Sequence, residues 1–233
     1  MPPAGKRERM PVPDYTLCVV TRVVPQLGRG HLEVAAAALE GGARFLQLRD
    51  KELSTRDLLA LAHELRRLTL AYGAVFVVND RVDIAWAAEA DGVHLGQDDM
   101  PAAEARRLLG PEAIIGVSAA TVETARAAQE SGANYLGAGP VYPTGSKADA
   151  GEAIGLARIA ELRAAVALPI LGIGGIGASN AAAVDAAGAA CVAVISAVTD
   201  APDMAQATRE LRTKVEGART HGGPPSRPQD QEK

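Results

Sequence analysis

Apolar segments rich in β-branched residues recur about every 20–30 residues along the chain, and each is followed by a segment with helical periodicity. The apolar segments predict eight β-strands. The predicted strands span residues 16–21, 45–49, 75–79, 92–95, 114–118, 135–138, 169–174 and 191–196. Because these strands are apolar on both faces and alternate with helices, the pattern predicts a parallel sheet covered by helices.

The helix after the second strand has the clearest pattern. Its apolar residues follow the i, i+3, i+4, i+7 spacing of one buried stripe: Leu58, Leu61, Ala62, Leu65 and Leu68. Ser54 together with Asp57 predicts a capping box at the start of this helix. Thr121 and Ser179 are the predicted N-caps of two later helices.

The number of strand–helix units indicates the fold class. Eight such units are the number that closes a barrel, and the span from Thr16 to about Glu216 is near the short end for that fold. A doubly wound open sheet is the alternative. Its glycine-rich turn after the first strand is missing, since residues 21–24 read Thr-Arg-Val-Val. We therefore predict an α/β fold with a single (β/α)8 TIM barrel.

The two ends of the chain have a different composition from the rest. Residues 1–13 are rich in proline and basic residues, and residues 218–233 are rich in proline, glycine and polar residues. Such segments bury too little apolar surface to offset the loss of chain entropy on folding. We predict a catalytic barrel domain at 14–217, with disordered, flexible tails at 1–13 and 218–233.

Composition excludes several classes of protein. The net charge of −4 and the pI near 5.6 argue against nucleic-acid binding. No apolar segment is long enough to span a bilayer, and the amino terminus lacks the apolar stretch of a secretory signal. Cys18 and Cys191 lie in apolar segments, which predicts buried thiols in a reducing cytoplasm. We expect a cytoplasmic protein without nucleic-acid or membrane partners. The sequence is compatible with a homo-oligomer and does not fix the oligomeric state.

Polar residues follow the predicted strands, whose carboxyl ends share one face of a parallel barrel. Asp80 and Asp99 follow adjacent strands, so their carboxylates can converge. Two carboxylates with few other protein ligands suit Mg²⁺, which retains water and takes further ligands from substrate phosphates. The alternative is that one or both carboxylates cap helices. We assign the neighbouring Asp98 to solvent.

Cations and amides also stand at the strand ends. Arg49, Lys51 and Lys147 come from different strand ends, and a diphosphate would satisfy three cations at one opening. A single lysine in a loop is usually solvated, so this prediction depends on the group. Gln47 and Asn79 could recognise a ring through paired donor and acceptor bonds, or they could be satisfied within the core.

A second anion pocket is predicted after the seventh and eighth strands. Gly174 and Gly175 precede a helix, where backbone N–H groups bind phosphate well. Ile195 and Ser196 would form the eighth-strand half of this pocket, where barrels often bind phosphate. Hydroxyl groups that could join them flank Gly145, at Thr144 and Ser146. Two anion pockets at one opening predict two phosphorylated substrates joined with loss of diphosphate.

Five segments in this order resemble the thiamine phosphate synthase family. They are 47–51 (QLRDK), 79–80 (ND), 91–99 (DGVHLGQDD), 139–147 (GPVYPTGSK) and 172–176 (GIGGI), and the resemblance covers about residues 17–218. The family consists of transferases of thiamine biosynthesis. They join 4-amino-2-methyl-5-hydroxymethylpyrimidine diphosphate to a thiazole monophosphate and release diphosphate.

The resemblance implies a role for each matching residue. The residues implied to bind the pyrimidine diphosphate are Gln47, Arg49, Lys51, Asn79, Ser118 and Lys147, of which Arg49, Lys51, Ser118 and Lys147 would be catalytic. Asp80 and Asp99 would bind Mg²⁺. The residues implied to bind the thiazole phosphate are Thr144, Ser146, Gly175, Ile195 and Ser196.

The resemblance also implies a dissociative mechanism. The aminopyrimidine expels diphosphate, and the thiazole nitrogen captures the resulting carbocation. No catalytic base is needed, because the nucleophile is a neutral ring nitrogen. Mg²⁺, Arg49, Lys51 and Lys147 would stabilise the negative charge that develops on the leaving group.

Some positions depart from the family pattern or admit other functions. Cys18 and Arg22 stand where relatives often have Tyr and Asp, which makes Cys18 a candidate site-lining thiol. One alternative is a thiazole tautomerase-like paralogue, which would lack the carboxylates and carry a histidine after the sixth strand. Another is a non-catalytic phosphate-binding regulator. We predict that His94 is a satisfied core residue and that Trp86 packs in the outer layer. The histidines expected to face solvent are His31 and His63.

Overall fold

Eight parallel strands form a closed barrel in sequence order, in a computed structural model that describes residues 16–146 and 151–222. The strands are β1 (Leu17–Val20), β2 (Phe45–Leu48), β3 (Val75–Asn79), β4 (Gly92–Leu95), β5 (Ile114–Ser118), β6 (Tyr135–Ala138), β7 (Ile170–Ile173) and β8 (Cys191–Val194). Val19 of β1 pairs with Leu46 of β2 on one side and with Val194 of β8 on the other, which closes the sheet. The predicted barrel is confirmed, and all eight predicted strands lie within two residues of their observed bounds.

Helices follow the strands and cover the outside of the barrel. They are α1 (His31–Glu40), α2 (Thr55–Ala71), α3 (Val82–Ala87), α4 (Ala102–Leu109), α5 (Val122–Glu130), α6 (Gly155–Ala165), α7 (Ala181–Ala186), α8 (Ser196–Thr199) and α9 (Met204–Gly222). A short 3₁₀ turn at Pro25–Leu27 precedes α1. No helix in the described part of the chain is long and apolar enough to cross a membrane.

Two of the three predicted N-caps are confirmed, Ser54 and Thr121, but the reciprocal bond that completes a capping box forms at Thr121 and not at Ser54. The Ser54 hydroxyl accepts a hydrogen bond from the Asp57 backbone N–H, at 3.2 Å, and Thr121 caps α5 in the same way. Ser179 is not an N-cap, because α7 begins one residue later and Asn180 occupies that position. The Asn180 side chain instead accepts a hydrogen bond from the Gly177 backbone, which tightens the turn before the helix.

Side chains of successive strand residues alternate between two apolar layers. Leu46 and Phe76 point outward and pack under the helices. Phe45 and Tyr135 point into the barrel, where their rings meet edge to face at 5.6 Å between centroids. Because both strand faces are buried, every strand needs an apolar residue at nearly every position, which explains the continuous apolar segments of the sequence.

The last helix extends beyond the predicted end of the domain. The boundary predicted at residue 217 falls inside α9, which continues to Gly222. Arg219 stabilises this extension, since its guanidinium donates to Asp185 at 2.8 Å and to the Ala190 carbonyl at 2.7 Å. The tail was predicted from residue 218 because this segment is weakly apolar, and the contacts of Arg219 compensate for that. The predicted tails at 1–13 and, past residue 222, at the carboxyl end lie outside the described residues.

The glycine at 116 is required by the tight interior of the barrel, so we expect Gly116→Ala to destabilise the fold. An added Cβ atom would lie 2.1 Å from Cζ of Tyr135, a fully buried and hydrogen-bonded ring. Overpacking of this kind costs about 1–3 kcal/mol. Gly217→Ala in α9 is the matched control, because its Cβ would meet no atom within 4 Å. We expect the control to stabilise the protein by up to about 1 kcal/mol. Urea unfolding curves check both changes, and an unaltered midpoint for Gly116→Ala would contradict the interior packing.

Candidate active site

A cavity of about 380 Å³ opens at the carboxyl ends of the strands. The predicted site residues that line it are Arg49, Lys51, Asn79, Asp80, Asp99, Ser118, Thr144, Ser146, Gly175, Ile195 and Ser196. They come from separate strand ends and loops, and the closed barrel brings them to one opening. Gln47 lies behind this lining, buried, with its side-chain amide 3.5 Å from Oδ1 of Asn79. Lys147 lies outside the described residues.

Two carboxylates converge at one side of the cavity. The Asp80 and Asp99 side chains share a hydrogen bond. Burial, followed by the hydrogen bond and the negative charge of Asp99, raises the pKa of Asp80 to about 6, although the nearby Lys51 and Arg49 act to lower it. Asp80 has a left-handed backbone (φ 62°), which aspartate tolerates better than most residues. Oδ2 of Asp99 accepts the Gly96 N–H at 2.7 Å, so its position is fixed by the backbone.

This pair of carboxylates has the character of a hard-cation site. Within the described residues, no group of three or more His, Cys, Asp or Glu side chains could hold a metal ion. A cation at Asp80 and Asp99 would therefore take its remaining ligands from water or from a bound molecule, which is the usual coordination of Mg²⁺. Asp98, assigned to solvent, is exposed at the rim of the cavity.

The floor of the cavity contains a histidine whose role the sequence did not reveal. His94 lies 3.0 Å from the Tyr135 hydroxyl through Nδ1 and 3.0 Å from the Ser118 hydroxyl through Nε2. It is satisfied, as predicted, but it also lines the cavity. A Cβ atom at Gly137 would come within 2.6 Å of the imidazole, so this glycine makes room for the ring. The position of His94 among the inward-facing residues of β4 was the sequence signal that could have placed it in the cavity.

The opposite side of the cavity presents backbone and hydroxyl groups. Gly174 and Gly175 both have positive φ, at 97° and 65°. A side chain at residue 175 would collide with backbone atoms, since its Cβ would lie 2.7 Å from the Pro143 carbonyl oxygen. The Ser146 hydroxyl donates to the Ser196 hydroxyl at 3.1 Å, where α8 begins. Hydroxyl and N–H groups clustered in this way suit a phosphate group.

Several other predictions meet different outcomes. His63 is exposed as predicted, but His31 is buried and hydrogen-bonded, so its assignment to solvent was wrong. The prediction treated His31 as an ordinary helix residue, whereas it begins α1 and faces the loop after β2. Trp86 belongs to the outer helix layer, yet its ring is largely exposed and packs little.

The departures in the first strand do not enlarge the cavity. Cys18 is packed inside the barrel and is absent from the cavity lining, and burial raises the pKa of its thiol. The guanidinium of Arg22 hydrogen-bonds to Thr199 and pairs with Asp200 at the end of α8. Cys18 is therefore a small buried hydrophobic residue, and Arg22 helps to hold the helix that follows β8.

Fold and cavity together define a (β/α)8-barrel protein whose polar site lies at the carboxyl ends of the strands, where enzymes of this fold carry their active sites. The sequence family described as thiamine monophosphate synthase matches residues 17–198. The chain is 54% identical to a thiamine-phosphate synthase of Moorella thermoacetica over 208 residues, which covers 89% of this chain and 99% of that protein. It is 52% identical to a thiamine-phosphate synthase of Methanospirillum hungatei over 198 residues, covering 85% and 96% of the two chains.

A solved structure supports the same assignment. Thiamine phosphate pyrophosphorylase from Pyrococcus furiosus superposes with a TM-score of 0.81 at 42% identity, covering 88% of this chain and 97% of that one. The chain belongs to the thiamine monophosphate synthase family, as the resemblance of its motifs predicted.

The burial of both thiols leads to a chemical prediction. Cys18 and Cys191 are each 1% exposed, and a buried thiol rarely forms the reactive thiolate. We expect neither to react with a thiol reagent such as Ellman's reagent in the native protein. Both should react once denaturant unfolds the chain. Rapid labelling of Cys18 in the folded protein would place its thiol in contact with solvent and contradict the barrel packing.

Proposed function

We propose that the chain catalyses the condensation of 4-amino-2-methyl-5-hydroxymethylpyrimidine diphosphate with 4-methyl-5-(2-phosphoethyl)thiazole, or its carboxylated form. The products are thiamine phosphate and diphosphate. The observation that carries this proposal is one cavity with two chemically different sides, one with cations and paired carboxylates and the other with hydroxyl and backbone N–H groups. The names of the relatives, which are thiamine-phosphate synthases, agree with it.

The carboxylate side of the cavity fits Mg²⁺. Asp80 and Asp99 offer hard oxygen ligands, and their mutual repulsion would be relieved by a cation. When bound, Mg²⁺ would neutralise negative charge on the diphosphate. Arg49 and Lys51 would add positive charge beside it, because both lie close enough to Asp80 to act on its pKa. Lys147 would complete the set from the loop after β6.

The residues of the cavity floor would orient the pyrimidine. Asn79 and Ser118 line the cavity and present an amide and a hydroxyl to a ring placed between the two sides. Gln47 would act through its contact with Asn79, and His94 holds the Ser118 hydroxyl in place. Positioning of this kind is worth several kcal/mol, because it replaces an encounter in solution by a fixed geometry.

The phosphate side would anchor the thiazole. Thr144, Ser146 and Ser196 would donate hydroxyl hydrogen bonds, and the backbone at Gly175 and Ile195 would complete the pocket. An anchored phosphate directs the ring nitrogen of the second substrate toward the carbon that loses diphosphate. The nitrogen carries no proton, so these residues need to place charge and geometry rather than remove a proton. The bond to diphosphate breaks, the bond to nitrogen forms, and the leaving electron pair stays on diphosphate.

The two alternatives are less well supported. A tautomerase-like paralogue would not need carboxylates that converge as Asp80 and Asp99 do. The loop after β6 contains Pro140, Val141 and Tyr142 and no histidine. A non-catalytic regulator would not be expected to retain the full set of cations and carboxylates.

One assay tests the proposed reaction. Purified protein is incubated with both substrates and Mg²⁺, with and without EDTA, and thiamine phosphate is detected by oxidation to its fluorescent thiochrome derivative. We expect thiamine phosphate and diphosphate in equal amounts, and little of either with EDTA. A chain that leaves both substrates unchanged at saturating Mg²⁺ would contradict the proposed function.

The roles of the charged groups lead to a second prediction. Asp80→Ala and Lys147→Ala should each lower turnover by orders of magnitude while the fold persists, since both remove charge that would act on the leaving group. Asp98→Ala is the comparison for Asp80→Ala, because it also removes a carboxylate but from an exposed position. We expect Asp98→Ala to retain activity within a few fold. Circular dichroism verifies folding, and near-normal rates for Asp80→Ala or Lys147→Ala would remove the assigned roles.

A further inference from the structure

A buried histidine and a half-buried aspartate form a pair behind Arg49 and Lys51. His31, the first residue of α1, is 4% exposed. Its Nε2 lies 2.9 Å from Oδ2 of Asp50, and its Nδ1 lies 2.7 Å from the Thr21 hydroxyl. Both ring nitrogens are thus occupied, one by the end of β1 and the other by the loop after β2.

The second oxygen of Asp50 organises the same loop. Oδ1 accepts the backbone N–H groups of Glu52 and Leu53, at 2.8 and 2.7 Å. These bonds fold the chain around the carboxylate immediately after β2. In the described part of the chain, the Asp50 carboxylate accepts hydrogen bonds from His31 and from backbone N–H groups. Asp50 does not line the cavity.

The neighbours of Asp50 in sequence point the other way. Arg49 and Lys51 both line the cavity and both act electrostatically on Asp80. A three-residue segment therefore places two cations in the cavity and one carboxylate behind it. The adjacent backbone is fixed too, because the Thr21 N–H donates to the Gln47 carbonyl at 2.8 Å.

The chemistry of the pair indicates a defined hydrogen-bond direction. Burial acts to raise the pKa of Asp50, but hydrogen bonds from His31 and from the backbone of Leu53 and Glu52 outweigh it, so the pKa is lowered. An ionised carboxylate can only accept, so Nε2 of His31 carries the hydrogen of this bond. Such a carboxylate–histidine contact orients neighbouring groups without touching a substrate.

We propose that His31 and Asp50 are positioning residues, which hold the 49–51 segment so that Arg49 and Lys51 bind the diphosphate group. This inference rests on the proposed function for the identity of the ligand. Arginine and lysine side chains are long and flexible, so their binding of a phosphate depends on a fixed position of the backbone that carries them. A displacement of about 1 Å in such groups can lower rates on the order of a hundredfold.

Variants at both members of the pair test this role. Asp50→Ala removes all three hydrogen bonds, and His31→Phe keeps an aromatic ring but removes its polar contacts. Asp50→Asn retains an oxygen for the backbone N–H groups. The matched control is Asp185→Ala, because Asp185 has a similar exposure, 10% against 13% for Asp50, and an arginine partner. Asp185 lies near the end of α7, ahead of β8, at the opposite end of the barrel.

The measurements are the Kd for inorganic diphosphate with Mg²⁺, by calorimetry, and the KM of each substrate. We expect Asp50→Ala and His31→Phe to raise this Kd and the KM of the pyrimidine diphosphate about tenfold or more, with the KM of the thiazole phosphate changed less than about twofold. Asp50→Asn should fall between these variants and wild type. Asp185→Ala should lower the melting temperature and leave all three constants near wild type.

Two results would overturn the inference. One is a wild-type diphosphate Kd in both Asp50→Ala and His31→Phe. The other is an equal rise in the KM of both substrates, which would indicate general damage. If Asp50→Ala fails to fold, Asp50→Asn and His31→Phe decide the question by the same constants. Absence of thiamine phosphate formation by the wild-type protein would instead contradict the proposed function, since the calorimetric Kd is measured without turnover.

Discussion

The hydrogen-bonded pairing of β1 with β8 is the constraint on which the rest of the structure depends. It closes the sheet, with Cys18 opposite Ala193 and Val19 opposite Val194. Closure arranges the eight parallel strands around one axis, so residues far apart in sequence meet around one opening at the carboxyl ends of the strands. An open sheet with the same strands would spread Arg49 and Ser196 along an edge, and no common cavity would form.

Closure also divides the barrel interior along its axis. The inward-facing residues near the amino ends of the strands are apolar, such as Phe45 and Val75. Toward the carboxyl ends the same inward series becomes polar, ending in Asn79 on β3 and Ser118 on β5. The apolar half supplies packing, and the polar half is stabilised by hydrogen bonds and solvent. One strand can therefore serve both stability and binding because its two ends face different surroundings.

Much of this arrangement was predictable from the sequence, since the apolar strand segments are strong signals and the topology follows from their number. The features that escaped prediction have two physical causes: contacts between elements that are distant in sequence, and elements too short to show a period. The burial of His31 depends on Asp50, nineteen residues away, and no local pattern reveals it. The four residues of α8 are too few to show helical periodicity. Arg219 extends α9 through partners elsewhere in the chain, on α7 and before β8.

The site residues differ in how far sequence reasoning could place them. Asp80 and Asp99 were predictable as a pair because adjacent parallel strands bring their ends together, and the structure gives them a shared hydrogen bond. The groups that hold other polar residues in place were harder to find, since their partners come from other elements. His31 behind Asp50 is one of them, and His94, which also lines the cavity, is another through its contact with Ser118. Each imidazole contacts two elements at once through its two ring nitrogens. His94 thus links β4 to β5 and β6, and His31 links α1 to the residue after β1 and to the loop after β2.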